Sequence, residues 1–82
     1  MTLNIQISTP VIPNDSMKAT LTECIVSLFP EDTVKVSFHT SGFDSYGQNS
    51  FDVLAMDAAR HELTDVRNSV MVALFTKMFQ NN

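Results

Sequence analysis

The sequence contains little of what holds small domains together covalently. Its 82 residues include one cysteine, Cys24, so no internal disulfide can form, and no spacing of cysteine and histidine is that of a structural zinc site. A short chain buries a smaller fraction of its surface than a large domain, so association with another chain is the remaining source of stability. The lone cysteine predicts a reducing, cytoplasmic location, because small secreted domains usually carry several disulfides.

Basic residues and long apolar runs are also scarce. Five bases against nine acids give a formal charge of −4, which argues against nucleic-acid binding, since phosphate contacts need a basic face. The longest apolar run, Val70 to Phe75, is far too short to cross a membrane. The opening "MTLNIQISTP" lacks the basic and apolar segments of a signal peptide. We expect a single soluble domain over residues 1–82.

Catalytic and nucleotide-binding motifs are missing as well. No glycine-rich phosphate loop occurs. His39, Ser41, Asp44 and Ser45 supply the residue types of a hydrolase triad, but the G-x-S-x-G turn that exposes a nucleophile is absent. We interpret His39 as the end of a strand and the other three as turn formers. Cys24 falls in an apolar stripe, where a small buried side chain is expected. The sequence predicts no enzyme, no catalytic residue and no cofactor.

One acidic cluster has the spacing of a helix surface. Asp57, His61 and Asp65 lie at i, i+4 and i+8 and would align on a continuous helix. The helical zinc signature uses two histidines in H-E-x-x-H, and this sequence has no such motif. We interpret the spacing as side-chain support on an exposed helix face, and we predict no metal site.

The first half has the pattern of a β-α-β unit. Leu3, Ile5 and Ile7 alternate with polar residues, as in a half-buried strand. After two prolines, Asn14 to Ser16 can cap a helix that ends before Pro30. Its apolar face comprises Met17, Leu21, Cys24, Ile25 and Leu28. A second alternating strand then places its apolar residues on one side: Val34, Val36 and Phe38.

The second half allows two interpretations of its secondary structure. Turn-forming residues predict a loop over residues 40–50, and Ser50 can cap a helix from Phe51 to about residue 62. In the competing interpretation, Phe51, Val53 and Ala55 form the inner face of a third strand; we favour the helix. Thr64 can cap another helix from Asp65. The predicted fold is a two-layer α+β domain, β-α-β followed by a loop and two C-terminal helices.

Two segments, "ISTPVIPNDSMKATLTECIVSLFPED" and "SFDVLAMDAARHELTDVRNSVMVAL", resemble in layout an uncharacterised archaeal protein family. The second segment has Arg60, Asp65 and Arg67 at comparable places. That family's fold is said to be similar to a large-subunit ribosomal protein, so the resemblance implies contact with RNA. The present chain is shorter and poorer in basic residues than the family, and we use the resemblance as support for the β-α-β start.

Two sets of apolar residues are candidates for partner binding. Apolar side chains of the C-terminal helix cover about 240° of a helical wheel, more than a core-facing stripe requires. We assign Val72, Phe75 and Phe79 to a partner and predict a homodimer through this helix; the alternative is a helix buried centrally within one chain. In the loop, Phe43 and Tyr46 either contact a partner or fold back over the core.

These patterns lead to two functional hypotheses. The first is a small non-enzymatic protein–protein interaction module, an inhibitor or regulator that docks on a partner protein. The alternative is an RNA-associated module that uses Phe43, Tyr46, Arg60 and Arg67.

Overall fold

The central strand of the sheet follows directly from the alternation at the start of the chain. The computed structural model describes residues 1–10, 12–40 and 52–80, with the backbone alone at 78–80. Strand β1 (Thr2–Thr9) buries every second residue. Leu3, Ile5 and Ile7 are almost completely inaccessible, because successive strand side chains point to opposite faces of the sheet.

Helix α1 (Asp15–Leu28) begins and ends where local signals predict. The Asn14 side chain accepts a hydrogen bond from the Met17 backbone N–H at 2.8 Å, which satisfies a donor without an intrahelical partner. The helix ends at Leu28, with Phe29 as the capping residue before Pro30. Leu21 and Ile25 pack into the core.

Strand β2 (Thr33–Thr40) completes the β-α-β unit. It runs parallel to β1 in continuous register, from Thr2 opposite Thr33 to Thr9 opposite Thr40. Its inner side chains Val34, Val36 and Phe38 pack against the core but remain partly exposed. The predicted β-α-β start is therefore confirmed, with the two strands as direct neighbours.

The helix that we favoured from Phe51 to residue 62 is wrong. Phe51 lies outside the described residues, and Asp52–Met56 form strand β3, antiparallel to β1. Val53 and Ala55 are each 1% exposed. The strong helix formers nearby are overridden, because pairing with the free edge of β1 buries the alternating Val53 and Ala55. The chain forms a third strand here, as in the alternative interpretation.

Helix α2 (Thr64–Gln80) completes the α+β fold. It starts one residue before the predicted Asp65, and it is one C-terminal helix rather than two. Val70 and Leu74 are fully buried in the same cluster as Ile5, Ile25 and the inner residues of β3. Both helices thus cover one face of a sheet of order β2-β1-β3, and no element of the described residues covers the opposite face.

The two edges of the sheet differ. The outer edge of β3 is covered by the chain itself, since the Leu63 N–H donates to the Ala55 carbonyl at 2.9 Å and Met56 bridges to Glu62. The outer edge of β2 has no strand beside it within the described residues. Among those residues, no helix is long and apolar enough to cross a membrane.

Candidate docking face and sheet recess

The exposed side of α2 is uncharged beyond its first turn. Asp65 is an exposed charge in that turn, whereas Arg67 and Lys77 are partly buried. Val72 is 66% exposed and Phe75 40% exposed. After the first turn, the exposed residues of the helix carry no charge as far as its side chains are described: Asn68, Ser69, Val72, Phe75 and Thr76.

A shallow apolar groove joins this side of α2 to the end of α1. Leu28, the last residue of α1, is 40% exposed and forms one wall. The groove has a volume of about 430 Å³ and is lined by Leu28, Asn68, Ser69, Val72 and Ala73. We call the groove together with Phe75 and Thr76 the docking face. Ser69 and Ala73 are small and one helical turn apart, so another helix can approach closely here.

We assigned five residues to partner binding, and the structure describes the side chains of two of them. Val72 and Phe75 are exposed on the docking face, while the opposite side of α2 holds the buried Val70 and Leu74. The side chain of Phe79 lies outside the described residues, as do Phe43 and Tyr46. The alternative of a helix buried on all sides does not hold for the described part of α2.

The two arginines that we considered for RNA contact lie in different settings. Arg67 is engaged within the fold, since its Nε donates to the Val53 carbonyl and its Nη2 to Asp52 Oδ1, both at 2.8 Å. Its hydrogen bond to Asp52 lowers the pKa of that carboxyl group. Arg60 is exposed and lies in a turn after β3.

That turn also accounts for the spacing of Asp57 and His61. Asp57 Oδ1 accepts the backbone N–H groups of Ala59 and His61, both at 2.9 Å, and Oδ2 lies 3.1 Å from His61 Nδ1. The backbone N–H of His61 and, to a smaller extent, its ring lower the pKa of Asp57. The predicted helix-surface support is therefore wrong, because the i, i+4 contact closes a turn. Within the described residues, no three acidic, histidine or cysteine side chains group as metal ligands.

The residues of the supposed triad are only partly described. His39 is exposed near the end of β2, as predicted, with Nε2 at 3.0 Å from Ser37 Oγ. Ser41, Asp44 and Ser45 lie outside the described residues. Cys24 is half-buried on α1, less covered than its predicted place in the apolar stripe implied.

The open face of the sheet contains a recess that the sequence did not indicate. It has a volume of about 510 Å³ and is bordered by Asp57 and the following turn. The other residues that line it come from three separate segments and include Asn4, Gln6, Lys35, Ser37, Met56 and Arg60. The alternation of β2 predicted that Lys35 faces away from the core, but only the fold brings Arg60 to the same recess. We call this the sheet recess.

Comparisons with protein-family models, curated proteins and solved structures gave no match. The resemblance to the archaeal family therefore stays a prediction.

Proposed function

We propose that this chain is a non-enzymatic protein–protein interaction module that assembles as a homodimer through the docking face. The observation that carries the proposal is the combination on α2 of a 66% exposed Val72 with an uncharged exposed surface around it. A helix side that only meets water normally carries charged residues. Exposed apolar patches ringed by polar groups mark interaction sites.

The composition of the docking face matches the centre of a protein interface. Interface centres are depleted in charged side chains, and polar residues surround them. Here Leu28, Val72 and Ala73 form the apolar centre, with Asn68 and Ser69 beside them. Placing the face against another protein would remove apolar surface from water without burying an unpaired charge.

The net charge of the chain favours an uncharged face as the place where a second copy would dock. Two copies with a formal charge of −4 each repel one another, and contact through an uncharged surface keeps the carboxylates away from the interface. In a twofold contact the same patch meets itself, so Val72 would pack near Val72 of the second copy. A standard interface removes about 800 Å² per partner. That is roughly one-seventh of the surface of 5524 Å² and leaves the open sheet face accessible.

Size-exclusion chromatography with light scattering tests the proposal. We expect the wild type to elute as a dimer at tens of micromolar and Val72→Asp as a folded monomer by circular dichroism. Met17→Asp is the matched control, because Met17 is exposed near the opposite end of α1 from Leu28, and it should remain dimeric. A folded wild-type monomer at this concentration would contradict the homodimer, and equal dissociation of both variants would remove the docking face as its interface.

A further inference from the structure

The turn after β3 has an arginine where its backbone favours glycine. The Arg60 N–H donates to the Asp57 carbonyl and the Asp57 N–H donates to the His61 carbonyl, both at 3.0 Å. This arrangement is a tight turn followed by one left-handed residue, a common way to reverse an antiparallel pair. That residue is Arg60, with φ of 66°. It is the only described residue other than glycine with a positive φ.

Left-handed backbone is disfavoured for any residue with a Cβ atom, and glycine or asparagine usually occupies it. Strained backbone of this kind concentrates at functional sites, where the surroundings hold it in place. The hydrogen bonds that close this turn come from the backbone and from the Asp57 carboxylate, and the Arg60 side chain makes none of them. The presence of arginine therefore points to a role for its side chain.

Arg60 lines the sheet recess together with Lys35 of β2. These are two of the five basic residues in a chain of net negative charge. Neither belongs to any of the ion pairs found among the described residues. Two cations that line one recess and belong to no described ion pair can bind an anion there.

The carboxylate at the border of the recess is committed to the turn. Asp57 accepts two backbone N–H groups through Oδ1, and Oδ2 lies beside the His61 ring. These contacts lower the pKa of Asp57 and keep it ionised at neutral pH, so one negative charge stands against the two positive charges of the recess. Lys35 and Arg60 therefore leave the recess with an excess of positive charge.

We propose that the sheet recess binds a small phosphorylated molecule, with Arg60 and Lys35 on its phosphate monoester group. A phosphate monoester carries between one and two negative charges at neutral pH, which two cations match. The volume of about 510 Å³ is that of a small-molecule site. Asn4, Gln6 and Ser37 line the rest of the recess and supply donors and acceptors for the polar remainder of the ligand. This inference is independent of the docking face.

Isothermal titration calorimetry at low ionic strength tests the site with three probes: inorganic phosphate, ribose 5-phosphate and adenosine monophosphate. We expect all three to bind, with the larger probes tighter because they also contact the amide side chains. Tighter binding of adenosine monophosphate than of ribose 5-phosphate would identify the ligand as a nucleotide, and equal binding as a sugar phosphate or a similar ester. Absence of binding by all three at millimolar concentration would overturn the proposal.

Three variants separate a binding role of Arg60 from a structural one. Arg60→Gly should weaken adenosine monophosphate binding by about tenfold or more while keeping the melting temperature at or above the wild-type value, because glycine relieves the left-handed backbone. Lys35→Gln should weaken binding similarly. The control Lys77→Gln removes a base outside the recess and should bind as the wild type does. Unchanged affinity in Arg60→Gly, or equal loss in Lys77→Gln, would overturn the assignment.

A ten-nucleotide single-stranded RNA serves as a fourth probe. If this RNA binds and loses affinity in Arg60→Gly and Lys35→Gln while the small phosphates do not bind, the recess is a nucleic-acid contact and the small-molecule proposal fails. We expect the RNA to bind no tighter than adenosine monophosphate, because the chain carries a net charge of −4 and lacks the basic surface that a strand of phosphates requires.

Discussion

The guanidinium Nε of Arg67 donates to the backbone carbonyl of Val53 at 2.8 Å, so a side chain of α2 occupies a position on the edge of β3 that another strand would otherwise fill. The Val53 carbonyl would otherwise lack a partner at this edge. The same guanidinium also reaches Asp52. Arg67 therefore joins the C-terminal helix to the strand that the sequence patterns predicted least well.

Replacing Arg67 with methionine should destabilise the fold by about 1–2 kcal/mol. The variant keeps most of the apolar stem but leaves the Val53 carbonyl without its donor. The urea midpoint of unfolding measures the change. Lys77→Met, on the same helix and in none of the ion pairs among the described residues, should cost only a few tenths of a kcal/mol. Equal effects of the two substitutions would show that the loss comes from charge alone.

The Asp52 carboxyl group should contribute to acid sensitivity. The side-chain hydrogen bond from Arg67, followed by the Val53 backbone N–H, holds its pKa below the ordinary 3.8. A carboxyl group with a lowered pKa in the folded state stabilises that state above its unfolded pKa, and this stabilisation is lost as the pH falls through the folded pKa. We therefore expect the contribution to be complete at neutral pH and to disappear below about pH 4.

Carboxyl-detected NMR titration measures this shift directly. Asp52 should titrate below 3.8 in the wild type and move back toward this value in Arg67→Met. An unchanged Asp52 titration in Arg67→Met would mean that the hydrogen bond is not maintained in solution.

The free edge of β2 should be visible in amide hydrogen exchange. The Thr33 N–H donates to the Met1 carbonyl at 3.0 Å, and the parallel register continues to Thr40 without a bulge. The amides of Lys35 and Ser37 therefore point to β1 and should exchange slowly. Those of the alternate residues Val34 and Val36 point outward and should exchange much faster.

This exchange pattern also tests where two copies meet. A dimer through the docking face leaves the edge of β2 in water, so fast exchange at Val34 and Val36 should persist at dimer-forming concentrations. Protection of these amides that increases with protein concentration would instead show strand-to-strand pairing, in which a second copy extends the sheet. That result would contradict the helical interface.

The start of the fold was predictable because its signals are local. The alternation of β1, the Asn14 cap and Pro30 each act through bonds and neighbours a few residues away, so the bounds of α1 follow from them. The exposed side of α2 was predictable for the same reason, since Val72 and Val70 are placed on different sides by helical geometry alone.

The secondary structure of residues 52–56 and the existence of the sheet recess could be seen only in the tertiary structure. Local propensity favoured a helix there, and only the unpaired side of β1, some fifty residues earlier in the chain, makes a strand the better choice. Arg67 was a candidate for RNA contact until the fold placed it against Val53. Arg60 and Lys35 share the sheet recess because Asn4 of β1 pairs with Lys35 on one side and with Met56, just before the turn, on the other. Local patterns determine which elements form, whereas contacts between distant residues depend on how those elements pair and pack.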